Sequence, residues 1–346
     1  MKKNQRIVLL ATAALLPEAA RAQLVISDNL TGVSSSYNWQ SLNGACLTAG
    51  NNTGSIPACS GLSYYSGTTL VGGVNGTLPD AVGQGALRLT NGDTTTGSNG
   101  NNQTGAVVSN FTFPTNQGLQ VTFTTVTYGG NAYKNASKQA SGADGISFFL
   151  ADGSKPATVG ALGGSLGYSC SNGNPTYDGV QGGYIGVGID EFGNFSNSND
   201  NTSSGANANG GAGAIPSRIS LRGAGNTNWA NLSTNYSKYY PASNLSTSQA
   251  NAVQSTCAAG YLYNFSGKSQ KDAHGNTIYD GNQTTEQIPY NYNYITGSTL
   301  GNNVTIYSQE AAGTNSSGGS KAVRGNATPI TYALTITQDG LLSLSV

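Results

Sequence analysis

The sequence predicts an all-β protein, an antiparallel β-sandwich with long polar loops, and three observations point there. Apolar residues recur at every second position in several separate stretches, the period of a half-buried strand. Sustained helical periodicity is scarce. The strand-like stretches are separated by segments rich in Asn, Gly, Ser and Thr, notably 90–104, 195–214 and 260–288, which read as binding loops or tolerated surface insertions.

Taken from the N-terminus, residues 1–22 read as a secretory signal peptide. Lys2, Lys3 and Arg6 form a basic start, and Ile7 to Leu16 is an apolar run too short to span a bilayer. Ala20-Arg21-Ala22 has the form of a cleavage site, so the mature chain is expected to start near Gln23. Residues 23–346 are then one β-sandwich domain, secreted to the extracellular space or cell surface, with no membrane span. The chain is 346 residues long, with 9% charged residues and a formal net charge of zero. That balance offers neither the basic stripe that nucleic acid requires nor a cationic face for anionic lipid.

The strands follow in order. Leu119, Val121 and Phe123 alternate with polar residues. The run Gly145–Ala151 (GISFFLA) is apolar on both parities and is expected to be a central strand covered on both faces. Ile185, Val187 and Ile189 alternate in the next, and Ile219 and Leu221 mark a strand in which Arg218 and Arg222 read as structural. Ile330, Tyr332, Leu334 and Ile336 alternate, a Gln338-Asp339-Gly340 turn follows, and Leu342, Leu344 and Val346 complete a hairpin.

The four cysteines suit an oxidising compartment and allow three pairings. Cys46–Cys59 is favoured because the short loop between them contains Gly54 and Pro57, which leaves Cys170–Cys257. Their spacing does not match a zinc site, and a lone histidine, His274, excludes a His-rich metal centre.

Two segments carry the chemistry. In Gly142-Ala143-Asp144-Gly145 a carboxylate stands between small residues at the mouth of an apolar strand; as a single feature it reads equally well as a turn aspartate. In Ile189-Asp190-Glu191-Phe192-Gly193-Asn194 a carboxylate, a backbone carbonyl and an amide oxygen provide hard oxygen donors of the kind Ca²⁺ takes, with Asp200 following. Alone, that segment reads as a strand end running into an Asn/Asp turn.

Together, in order, spacing and flanks, the two segments resemble the L-type (legume-like) lectin family, bacterial secreted branch, over most of the chain from Asp28 onward. GADGISFFLA is similar to that family's sugar-binding strand, Gly160–Gly167 (GALGGSLG) to its Gly-rich sugar loop, and GVGIDEFGN to its calcium strand. The resemblance implies a concanavalin-A-like jelly-roll sandwich. It implies calcium ligands at Asp190, the Phe192 carbonyl, Asn194 and Asp200, and carbohydrate contacts from Asp144, the Gly164 N–H and Asn194. It also implies a cis peptide at Ala143–Asp144. Plant members have a Glu for a transition metal where Gly188 stands here, so Ca²⁺ alone is expected. The family continues past the hairpin that ends here, so C-terminal strands are expected to be missing.

The function these features imply is a calcium-dependent carbohydrate-binding module of a secreted or surface adhesin, with glycan partners and an association with pilus or adhesin modules. The alternatives are a structural surface or matrix protein on the same sandwich, and a glycoside hydrolase. The last needs two carboxylates about 5–5.5 Å apart on one strand face, whereas Asp190 and Glu191 are adjacent and point to opposite faces, so no enzyme activity is expected. Trp39, Trp229, Tyr290, Tyr292 and Tyr294 are candidate sugar-stacking aromatics.

Overall fold

The computed structural model describes residues 25–62, 73–74, 77–90, 102–127, 133–134, 140–141, 144–174, 176–196, 213–244, 246–266, 269–271, 277–279, 281–300, 324 and 327–346. The signal segment 1–22, Gly142, Ala143 with its peptide bond to Asp144, Asp200 and His274 lie outside them. In chain order the strands are β1 (Trp39–Leu42), β2 (Cys46–Leu47), β3 (Leu87–Arg88), β4 (Ala106–Ser109), β5 (Leu119–Thr125), β6 (Tyr133–Lys134), β7 (Ala140–Ser141), β8 (Gly145–Ala151), β9 (Gly183–Asp190) and β10 (Arg218–Arg222). Helices α1 (Trp229–Asn235) and α2 (Ser246–Ala259) follow. Then come β11 (Tyr261–Asn264), β12 (Ser269–Lys271), β13 (Thr277–Tyr279), β14 (Asn282–Gln287), β15 (Tyr294–Thr299), β16 (Ile330–Ile336) and β17 (Leu342–Ser345). The chain is thus mostly strands in small antiparallel sheets with few helices.

Two sheets position the site. One has four strands in the order β15-β10-β9-β8, the other three in the order β17-β16-β5, and every pairing in both is antiparallel. The three-stranded sheet forms as its alternation predicts. Tyr332 pairs with Phe123, Leu334 with Val121 and with Leu344, and Ile336 with Leu119 and with Leu342, so one face is apolar. Its other face is polar and exposed: Gln120, Thr122 and Thr124 point to solvent, and the Thr124 and Thr331 hydroxyls lie 2.9 Å apart. The apolar face meets the four-stranded sheet in one cluster, Phe123, Tyr332 and Leu344 against Ile146, Ile189 and Ile219.

The opposite face of the four-stranded sheet is covered by a loop. Leu166, Tyr168, Cys170, Val180, Phe195, Tyr292 and Cys257 form a second apolar cluster, against which Phe149 and Ala151 of β8 pack. Strand β9 tolerates aromatic rings laid flat on its backbone because it presents glycines there. A Cβ on Gly186 would lie 2.2 Å from the Tyr168 ring, and one on Gly188 would lie 2.3 Å from the Phe195 ring.

Three expectations need correction. Gly145–Ala151 does carry apolar partners on both faces, Phe148 stacking on Phe123 and Phe149 tilting against Tyr168. Yet among the described residues it is the terminal strand of its sheet rather than a central one, and its side chains are only half-buried. Second, the chain has helices where the sequence reading placed none. Asn228 caps α1 by accepting the N–H of Asn231 at 2.9 Å. In α2, Ser248, Ala252, Val253, Thr256 and Cys257 are buried. Small polar residues fill much of that inward face, so no apolar stripe marked it in the sequence. Third, the polar run 260–288 is not a bare loop: β11 pairs with β14 and β12 with β13.

Residues between β10 and β15 therefore form a body with its own apolar cluster, Leu232, Tyr240, Ala252, Val253, Leu262, Phe265 and Ile288. Both disulfides pair as expected, Cys46 with Cys59 and Cys170 with Cys257. The second fastens the covering loop to α2. Two such bridges suit an extracellular or otherwise oxidising environment. Among the described residues no helix is long and apolar enough to cross a membrane.

Candidate functional site

The register of β8 against β9 pairs Gly145 with Asp190, which brings Asp144 beside Glu191 at the end of the sheet. The Asp144 carbonyl accepts the N–H of Glu191 at 3.0 Å and of Phe192 at 3.2 Å. Two segments that lie far apart in sequence are thus knitted together through the backbone, and their carboxylates are close enough to influence each other.

Asp190 is wholly buried. One carboxylate oxygen accepts the N–H of Gly193 and the other that of Phe195, each at 2.7 Å. These two bonds fold the chain after β9 into a tight turn and a single 3-10 turn over Asn194–Ser196. Arg222, also wholly buried, grips the same turn from β10: its Nε donates to the Phe195 carbonyl at 2.6 Å, and its guanidinium lies 5.3 Å from the centre of the Phe195 ring. Another of its nitrogens donates to the Tyr292 carbonyl at 2.8 Å. Phe195 is therefore held at its N–H by Asp190 and at its carbonyl by Arg222, while its ring lies on Gly188. Asn194, one residue earlier, inherits that fixed position.

The Gly-rich loop comes in from the other side. A Cβ on Gly164 would sit 2.4 Å from the Cβ of Asn194, so only glycine admits this approach. A Cβ on the neighbouring Gly163 would lie 2.5 Å from the Asn174 amide nitrogen and 3.8 Å from a carboxylate oxygen of Asp144. The loop is also tied down beneath, where the Ser147 hydroxyl donates to the Leu166 carbonyl at 2.7 Å.

Burial pushes the Asp190 carboxyl up to about 8. The two backbone N–H donors oppose that rise, the Asp144 charge adds to it and the Arg222 charge lowers it. Burial likewise pushes Arg222 down to about 10, against the opposing pull of Asp190. Each carboxylate oxygen of Asp190 accepts one backbone N–H and has lone-pair capacity for more, which a cation could use.

Among the described residues no group of three or more His, Cys, Asp and Glu side chains gathers around one point. The calcium donor set expected from sequence does not rely on such a group, since the Phe192 carbonyl and the Asn194 amide provide two of its oxygens. Asp190, Phe192 and Asn194 lie within one turn, and a carboxylate, a carbonyl and an amide oxygen are donor types that a hard cation takes. At position 188 the Phe195 ring fills the space a side chain would need, so a carboxylate for a transition metal cannot stand there.

Of the residues singled out from sequence, Asp144, Gly164, Asp190, Phe192 and Asn194 come together, and Asp200 lies outside the described residues. Arg218 and Arg222 are structural, as expected; Arg218 donates to the Tyr294 hydroxyl at 2.8 Å and to the Gly297 carbonyl at 2.7 Å. The candidate aromatics are dispersed. Tyr292 is buried in the cluster behind β9, and Trp229 packs edge-on against Tyr240 in the inserted body. Tyr290 is exposed, while Trp39 lines a separate open cleft beside β1.

Sequence reasoning missed Asn174, which lies in a polar Ser-Asn-Gly-Asn turn with no mark of function. It also missed the positioning role of Phe195, whose signal was the pair of β-strand glycines that leave room for a ring. No protein-family model, curated protein or solved structure matches this chain.

Proposed function

We propose that this chain is a calcium-dependent carbohydrate-binding module of the L-type lectin kind, on a concanavalin-A-like jelly-roll sandwich. It is exported by the segment 1–22, works outside the cytoplasm as part of a surface adhesin, and performs no catalysis. The observation that carries this reading is the convergence of Asp144, Gly164, Asp190 and Asn194 at one end of the four-stranded sheet. Their common location is unexpected for turn residues chosen only for local geometry.

In this reading Asp190, the Phe192 carbonyl, Asn194 and Asp200 hold the calcium. When bound, the ion supplies the positive charge that offsets burial of the Asp190 carboxylate. Asp144 accepts hydrogen bonds from saccharide hydroxyls, charge-assisted and hence the stronger kind. The Gly164 N–H donates to the sugar, and Asn194 holds it from the side of the turn.

One observation favours a second reading, a structural surface protein: both Asp190 oxygens already receive backbone N–H groups, which is what a purely structural cap of the turn would do. A glycan array probed with and without calcium, together with thermal melts, separates the two. Lectin function requires glycan binding that EDTA abolishes and Ca²⁺ restores. It also requires a calcium-dependent stabilisation of about 2.7 kcal/mol at a hundredfold excess over the dissociation constant. Asp144→Asn is expected to lose glycan affinity and keep that stabilisation. Melting unaffected by EDTA, with an empty array, would establish the structural reading.

A further inference from the structure

Asn174 stands at the site with its backbone fastened and its side chain largely uncommitted. The turn 171–174 is closed by the Ser171 hydroxyl, which accepts the N–H of Gly173 at 3.2 Å and of Asn174 at 3.0 Å. The Ser171 N–H donates to the Tyr177 carbonyl at 3.0 Å. Helix α2 braces the same turn from the inserted body: the Gln254 amide donates to the Asn172 carbonyl at 2.5 Å, and Cys257 is bonded to Cys170 one residue before the turn begins.

Among the described residues the Asn174 side chain makes one long hydrogen bond, to the Leu162 carbonyl at 3.5 Å, at the outer limit for such a contact. It is half-buried, so its amide is neither locked into the interior nor waving in solvent. Its nitrogen and a carboxylate oxygen of Asp144 both lie within 4 Å of the point where a Cβ on Gly163 would be. Gly163 has a φ of +70°, a conformation that favours glycine, and with no Cβ there the Asn174 amide closes in on the loop near the Asp144 carboxylate. A carboxylate that only accepts and an amide that both donates and accepts, bordering the same glycine, suit a hydroxyl that reaches both: its hydrogen goes to the carboxylate and its oxygen accepts from the amide.

We propose that Asn174 is a further ligand-contact residue of this site, whose amide binds a hydroxyl of the same saccharide that Asp144 holds and thereby selects among sugars by the position of that hydroxyl. The inference rests on the lectin reading given above. It makes the inserted body part of the recognition apparatus, because α2 determines where the turn 171–174 stands. The ligand class is a neutral saccharide with a hydroxyl at the ring position between the two groups.

The test uses the full chain loaded with calcium. The monosaccharide giving the highest signal on a glycan array is taken as its methyl glycoside, with the set of its monodeoxy analogues, and affinities are measured by calorimetry. Asn174→Ala is expected to weaken the parent glycoside about tenfold. One monodeoxy analogue, lacking the hydroxyl that Asn174 reads, should bind wild type and variant equally. Asn174→Asp keeps the shape of the side chain, replaces its donor by an acceptor beside Asp144, and is expected to weaken the parent at least as much. It also serves as the test should the alanine variant fail to fold.

An Asn174→Ala variant that binds the parent as tightly as wild type overturns the inference. So does one that weakens every analogue by the same factor, since that would make Asn174 a brace for Leu162 rather than a contact. In both cases loss of binding by Asp144→Asn leaves the lectin reading standing. A wild-type chain that binds no glycan overturns the lectin reading and this inference with it.

Discussion

The two sheets that meet at Tyr332 and Ile189 are built on opposite plans. The three-stranded sheet has one apolar face and one wet face, and each residue's polarity tells which way it points. The four-stranded sheet is covered on both sides along β9 and β10, although β15 at its edge stays largely exposed, and the second buried face of those two strands is made of residues that sequence reading assigns to the outside. On β9 these are Gly186, Gly188 and Asp190; on β10 they are Arg218, Ser220 and Arg222, all buried, while Ile219 and Leu221 between them are less so. Polarity alternation thus reports inside and outside only where water covers one face. Where both faces are dry, polar residues inside are a cost unless they find partners, and the partners that Asp190 and Arg222 find assemble the candidate site, while the Ser220 hydroxyl finds none among the described residues.

The contrast is open to direct test. Arg222→Ala should have the largest effect, a loss of about 3–5 kcal/mol in urea denaturation, because it leaves the carbonyls of Phe195 and Tyr292 without their donor and Asp190 without its compensating charge. A loss below about 1 kcal/mol would mean that the turn after β9 stands without Arg222, and the argument for a polar interior in this sheet would fail. Next, replacing Cys170 and Cys257 together by serine should cost about 2–4 kcal/mol, read from the same denaturation curves. That change removes the covalent tie between the covering loop and α2, and no counterpart exists in the described part of the three-stranded sheet.

Gly188→Ala sharpens the point further. A methyl group would be driven into the Phe195 ring, and about 1–3 kcal/mol should be lost by overpacking, although alanine is no worse than glycine in an ordinary strand. The smallest effect is expected on the wet face: Thr122→Val should change stability by less than about 0.5 kcal/mol, as measured by the shift in denaturation midpoint. A Thr122→Val variant that loses as much as Gly188→Ala would show that the outer face of β5 is covered too, and the two sheets would no longer differ in kind.

The same contrast explains what was legible in the sequence. Strands β5, β16 and β17 and the Gln338–Gly340 turn could be read directly, because a one-sided sheet writes its burial into the alternation. The proximity of Asp144, Asp190 and Asn194 was foreshadowed by their place at strand ends, and the short loop between Cys46 and Cys59 pointed to its own bridge. Arg222 was legible as structural, but its complete burial was not, since an arginine two places after Ser220 in an alternating strand looks like a solvent-facing alternate. Helix α2 escaped notice because Ser248, Thr256 and Cys257 do the work usually given to leucines on an inward face. The placement of Asn174 escaped because it depends on where β8 and the Gly-rich loop end up, a relation between distant segments that no local pattern records.

The inserted body leaves the sheet and returns to it through a narrow stem. Arg222 pairs with Tyr294, the Gly223 N–H donates to the Asn293 carbonyl at 2.8 Å, the Tyr292 N–H donates to the Ala224 carbonyl at 2.9 Å, and Gly225 bridges Asn291. In topology, β10 and β15 are a hairpin whose tip has grown into a helical lobe with its own apolar cluster. Closing a loop costs entropy only as the logarithm of its length, so a longer or shorter tip leaves the pairing of these strands little changed. The architecture is therefore modular: the lobe can be exchanged for another without rewriting the strand order beneath it. What an exchange would alter is the brace that Gln254 and Cys257 apply to the turn 171–174, so the scaffold and the shape of its rim can vary independently.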